Sequence, residues 1–177
     1  MKRKEIEHLI RAAGAITESD EIVVIGSQSI LGTYPQAPEA LLQSREADLI
    51  PIKHPERADL IDGVIGELSP FDETFGYYAD GVDKTTAILP DGWETRLVKI
   101  ANDNTNDIVG LCLEPHDLMV SKLYAGREKD IDFVSVAIDA NIVDIDLIRS
   151  RITGIPNDDR QHEIVMARLT RIISKKR

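Results

Sequence analysis

The sequence predicts an α/β (α+β) fold, a sheet core with flanking helices followed by an all-helical C-terminal region. Three observations predict it. Residues 22–25 are a short unbroken run of Ile and Val, which reads as a strand buried on both faces. Apolar residues at helical spacing lie before and after that run, with a second strand pattern at 46–52 between them. Beyond residue 113 only helical periodicity is found. The expected division is 1–113 for the α/β core and 114–177 for the helical region, within one compact unit.

Ile6, Leu9, Ile10 and Ala13 define a first helix that covers the sheet, loosened at Gly14 and over residues 17–20. Gly26 and Ser27 stop the first strand sharply, and residues 28–31 read as the first turn of a helix. A Gly-Ser pair at such a junction lets backbone N–H groups approach an anion, because glycine lacks a Cβ and a helix N-terminus carries partial positive charge. After an Ala/Pro/Leu-rich loop, Glu46 and Asp48 stand two apart on the next strand. They therefore share a face. Two hard oxygen ligands held together suit Mg²⁺, and the same pair also fits an exposed strand face.

Pro55 opens a second helix with Ala58, Ile61, Val64 and Ile65 as its apolar stripe, closed by Ser69 and Pro70. The middle, 71–106, is rich in Gly, Asp and Thr. Tyr77 with Tyr78, residues 85–89 and residues 93–100 read as strands, with Pro90, Asp91 and Gly92 as the turn between the last two. His54 reads as a surface histidine, Trp93 as a core or sheet-edge anchor, and 108–113 as a further strand. Cys112 lies inside that apolar run and reads as a buried structural thiol.

Glu114, Pro115, His116 and Asp117 form a helix entry, with Asp117 as the expected cap. On the helix that follows, Lys122 shares the apolar face of Leu118 and Met119. On the next, Asp130 shares the face of Phe133, Val134 and Ala137, whereas Asp132 faces outward. Lys and Asp are seldom buried unless paired or lining a cleft, so this pair is either a salt bridge bracing a helical hairpin or part of a site. In the last third, residues 156–158 separate two helices and Asp158 or Asp159 caps the last. That helix has an apolar stripe of Val165, Leu169, Ile172 and Ile173. Arg168, Arg171 and Lys175, with Lys176 and Arg177, make a basic strip, either a solvated face or a dock for RNA phosphates.

Composition sets the outer limits. The chain has 177 residues, 42% hydrophobic and 29% charged, with a formal net charge of −10. That charge argues against bulk electrostatic binding of nucleic acid. No apolar run is long enough to cross a membrane, the N-terminus does not read as a signal peptide, and cytoplasm is the expected location. One cysteine cannot form an internal disulfide, and no Cys/His cluster has zinc spacing.

Gly26, Ser27, Glu46 and Asp48 together resemble the signature of the nucleotidyltransferase fold, Gly-Ser at a strand end and Asp-x-Asp on the next strand, with Glu in place of the first Asp and an extra segment at 35–44. The block 114–134, with Ser121, Lys122, Ala125, Gly126, Arg127, Lys129 and Asp130, resembles a bacterial nucleotidyltransferase-like family related to the AbiEii toxins of toxin–antitoxin and phage-defence systems. The resemblance covers about residues 23–134. It implies a mixed-sheet nucleotidyltransferase core and Mg²⁺-dependent transfer from a nucleoside triphosphate to tRNA or protein, with a cognate antitoxin as partner. Glu46 and Asp48 would hold the metal, Gly26, Ser27, Lys122 and Arg127 the nucleotide, and Asp130 would belong to the same catalytic set. Such enzymes carry a third carboxylate on a later strand. The corresponding stretch here, 95–100, has none in its interior, which leaves Asp83 and Glu94 as substitutes. Without a third acid the alternative is a catalytically degenerate binding module.

Overall fold

The computed structural model describes residues 1–155 and 159–175. The expected turn at 156–158, with Asp158, and the basic residues Lys176 and Arg177 lie outside the described residues. A five-stranded mixed sheet has the order β3-β2-β1-β5-β4, built from β1 (Glu21–Ile25), β2 (Glu46–Pro51), β3 (Tyr78–Gly81), β4 (Val98–Ile100) and β5 (Val109–Cys112). β1 is antiparallel to β2 and parallel to β5, while β3 runs parallel to β2 and β4 antiparallel to β5.

The two sheet faces are covered unequally, and this leaves space for a cleft. Ile22 and Val24 of β1, Ala47 and Leu49 of β2, and Ala79 of β3 face the main core with Ile6, Leu9, Ile10 and Ala13 of α1 (Arg3–Thr17). The alternate residues Val23, Ile25 and Ile50 meet only a small cluster under the segment that carries Val82, Ala87, Trp93 and Leu97. The main core continues without a break into α5 (Pro115–Ala125), α6 (Glu128–Asp139), α7 (Ile145–Thr153) and α8 (Asp159–Ser174). Between these lie α2 (Ile30–Thr33), α3 (Ala58–Ile65) and α4 (Pro70–Phe75). Among the described residues no helix is long and apolar enough to cross a membrane. Cys112 is buried, and burial pushes its thiol up to about 12.

Several local expectations are corrected. The first helix runs through Gly14 to Thr17. On α3, Ile61 and Ile65 are buried but Val64 is half exposed, because an eight-residue helix buries a narrow stripe. Ser69 does not close a segment. Its hydroxyl accepts from the N–H of Asp72 and caps α4, a helix hidden by its six-residue length. Residues 85–89 and 93–97 form 3-10 turns and extended chain, and only Val98–Ile100 of the second stretch joins the sheet. The cap of α5 is Glu114, whose carboxylate accepts from the N–H groups of His116 and Asp117.

Asp117 is taken up instead by a buried ionic network. Its carboxylate accepts from Arg96 Nε at 2.8 Å and Nη2 at 3.0 Å, and from Arg151 Nη1 at 2.9 Å. Arg151 also bonds Glu114, and His116 Nε2 accepts from the N–H of Asp144. That acceptor role leaves His116 Nδ1–H to donate to Glu114 at 2.6 Å. The network ties the β4 approach, α5 and α7 together. Asp117 is fully buried between two arginines, so Asp117→Ala leaves Arg96 without its carboxylate and Arg151 with Glu114 alone. Urea denaturation is expected to show a loss of about 3–5 kcal/mol.

Candidate functional site

The expected site residues meet in one cleft of about 780 Å³, lined by Gly26, Ser27, Glu46, Asp48, Lys122, Arg127 and Asp130 among others. Its floor is the end of β1. Gly26 has φ +69°, and a Cβ there would stand 1.9 Å from Asp48 Oδ2. Glycine is therefore required twice over, by the backbone conformation and by the carboxylate packed against it. Ser27 opens a 3-10 turn (Ser27–Ser29) leading into α2, and Ser29 Oγ donates to the Gly26 carbonyl at 2.8 Å.

Glu46 and Asp48 project from one face of β2, as their spacing requires, and that is the sparsely covered face. The register places Asp80 of β3 beside Asp48, about 4.8 Å away across the ladder. Asp80 does not itself line the cleft, and it adjoins it through its ladder partner Asp48. Burial, then the negative charges of Glu46 and Asp80 and a proton shared with Glu46, push Asp48 up to about 7, against a smaller opposing pull from Lys122. Burial, then Glu46, Asp62 and Glu67, push Asp80 up to about 6. Tyr78 donates to Glu46 at 3.4 Å, and burial followed by the nearby acids pushes its hydroxyl up to about 12.

The facing wall is cationic. Asp130 is fully buried and accepts from Lys122 Nζ at 3.0 Å and from Arg127 Nε at 2.6 Å. Burial opposes its ionisation, but the bonds from Arg127 and Lys122 outweigh it and hold the carboxyl below its usual range. Lys122 also lies 4.6 Å from the Phe133 ring centroid, and burial lowers its pKa despite Asp130. Arg127 keeps 63% of its side chain exposed and feels both Asp48 and Glu46. The salt bridge and the cleft lining are thus one arrangement. Ala40, Leu41, Gln43 and Ser44, from the extra segment, complete the wall beside α6.

Asp80 is the residue that sequence reasoning missed. Tyr78 reads as a strand residue, and two steps along the same strand gives Asp80 on the same face. The nucleotidyltransferase pattern points to the later stretch 95–100 for a third acid instead. Neither substitute joins the cluster. Asp83 accepts from the N–H and hydroxyl of Thr85 and caps a turn, and Glu94 pairs with Lys84. Arg168 leaves the expected basic strip: it lies three residues after buried Val165 and four before buried Ile172, and it points inward.

The fit of a divalent cation rests on the carboxylates. Among the described residues no three His, Cys, Asp or Glu side chains converge as a ready ligand set. Glu46 and Asp48 do approach closely enough to share a proton. Two carboxylates are what Mg²⁺ takes from protein when water and substrate phosphates complete its shell. Burial, and after it the neighbouring acids, raise Asp48 and Asp80, and a cation bound there would favour their ionised forms.

A family model described as "Nucleotidyltransferase of unknown function (DUF6036)" matches residues 4–176. No curated protein and no solved structure matches the chain.

Two outcomes are expected from the charges. Asp48 in the folded chain keeps a proton that the unfolded chain has lost, so its contribution to stability falls as pH rises from its ordinary 3.8 through about 7 and is level above. Asp48→Asn, compared with wild type in thermal melts, is therefore neutral near pH 4 and stabilising by about 1–3 kcal/mol at pH 8. Asp130→Ala, by contrast, strands the buried Lys122 ammonium. Chemical denaturation at pH 7 is expected to show a loss of about 3–5 kcal/mol.

Proposed function

The chain belongs to that nucleotidyltransferase family, and from this premise we propose that it transfers a nucleotide from a nucleoside triphosphate to a hydroxyl of RNA, tRNA in particular, or of protein. The convergence of Glu46 and Asp48 with Lys122 and Arg127 across one cleft carries the reading. We further assign it to the toxin type that the block 114–134 resembles, with a cognate antitoxin as its partner.

In this reading Glu46 and Asp48 hold Mg²⁺. When bound, Mg²⁺ offsets charge on the phosphate oxygens of the substrate. Lys122 and Arg127 hold the triphosphate tail, the lysine as a point charge and the arginine through its fork. Backbone N–H groups near Gly26 and Ser27 face the same phosphates. The acceptor hydroxyl attacks the α-phosphorus, its proton passes to the Asp80 carboxylate, and the bond to the β-phosphate oxygen breaks to release pyrophosphate. A carboxylate held at about 6 is suited to that task, because a base works best with a pKa near the operating pH. Asp80 supports this reading over the alternative of a degenerate binding module, whose case rests on the absence of a third acid.

The test is direct. Purified protein with Mg²⁺ and each of the four radiolabelled triphosphates is expected to label a component of a bacterial tRNA fraction or protein extract. Asp48→Ala removes the labelling while the protein stays folded, and Asp80→Asn lowers it by about 100-fold or more. No labelling above the Asp48→Ala background, across all triphosphates and both acceptor classes, refutes the reading.

A further inference from the structure

The last helix carries an arginine that does not face solvent. Arg168 Nη1 donates to the carbonyls of Leu123 at 2.6 Å and Tyr124 at 3.0 Å, two of the last acceptors of α5. Such terminal carbonyls have no partner within their own helix, and a cation there also meets the negative end of the helix dipole. The neighbouring carbonyl, Lys122 O, is taken by the N–H of Gly126 at 2.9 Å. Gly126 has φ +65°, and a Cβ there would fall 2.1 Å from Arg168 Cζ. The guanidinium thus lies against the bare backbone of the turn between α5 and α6. The next residue is Arg127, whose carbonyl accepts from the N–H groups of Asp130 at 2.9 Å and Ile131 at 3.1 Å.

We propose that Arg168 is a positioning residue: by clamping the 123–126 corner it fixes where Arg127 and Asp130 stand, and so shapes the cationic wall of the cleft. It touches neither of the site's charged groups and acts through the backbone between them. The effect on nucleotide affinity rests on the function proposed above, whereas the effect on the corner does not. In this role α8 is a brace for the cleft, and Arg168 is unavailable to bind RNA.

Hydrogen exchange on the full chain tests the clamp without any ligand. In Arg168→Met, the amides of Gly126, Asp130 and Ile131 are expected to exchange about 10-fold faster or more, while those of α1 and the sheet are unchanged. Arg171→Met, which removes the same charge from an exposed position of the same helix, changes none of them. Arg168→Lys, which keeps a donor but not the planar fork, falls between and serves if the Met variant does not fold. A uniform rise in exchange over the whole chain, or no rise at 126–131, overturns the proposal. The second readout is Mg²⁺–triphosphate affinity by calorimetry. Arg168→Met weakens it about 5- to 10-fold in the wild type but not in an Arg127→Ala background, as two residues acting on one contact require. Equal weakening in both backgrounds also overturns it. A wild type that binds no triphosphate sinks the proposed function, and the exchange data still decide the clamp.

Discussion

Asp130 places a full negative charge in the interior, and the cleft depends on how that charge is satisfied. Its carboxylate draws Lys122 from α5 and Arg127 from the start of α6 onto one point. Removing a carboxylate from water costs several kcal/mol, offset only by close, well-directed partners. Here both partners come from the two ends of a tight corner, so satisfying Asp130 also fixes the angle between the helices. The same pairing leaves most of Arg127 facing open space. A buried structural ion pair and an exposed cation for a ligand arise from one arrangement.

The opposite wall obeys the reverse logic. Glu46, Asp48 and Asp80 stand close together through strand period and register, and none has a cation within bonding distance among the described contacts. Burial first, and the neighbouring acids second, hold Asp48 and Asp80 above the usual carboxylate range. One wall is therefore internally neutralised while the other awaits positive charge. Like charges held together by a rigid sheet are a liability for folding, and their persistence on the sparsely covered face is expected of a site and not of a core.

Much of this was legible in the chain. The period of two put Glu46 and Asp48 on one face, and the period of 3.6 put Lys122 and Asp130 on apolar faces where only a partner or a cleft explains them. The face of Asp80 was legible from its strand, but its place beside Asp48 was not, because that comes from the pairing of β3 with β2, which local pattern does not encode. The middle of the chain misled for a related reason. Short runs such as 85–89 have the Thr and apolar content of strands, but Asp83 captures the backbone at Thr85 and turns the chain away. Arg168 reads as part of a basic strip from its three- and four-residue spacing to Arg171 and Lys175. Its spacing from Val165 and Ile172 already placed it on the inward face of α8.

Two glycines show how distant parts of the sequence are joined at the site. Gly26 ends β1 where the Asp48 carboxylate lies against its Cα, and Gly126 ends α5 where the Arg168 guanidinium does the same. Each adopts a positive φ, and each leaves out a side chain where a charged group from elsewhere must rest against the main chain. The first glycine seats an acid of the negative wall, and the second seats the cation that holds the positive wall in place. A triphosphate bound as proposed would then meet a fixed polarity, its tail towards Lys122 and Arg127 and its α-phosphate towards the carboxylates. Both walls are set by backbone approach and not by flexible side chains alone, so that orientation is built in before any ligand arrives.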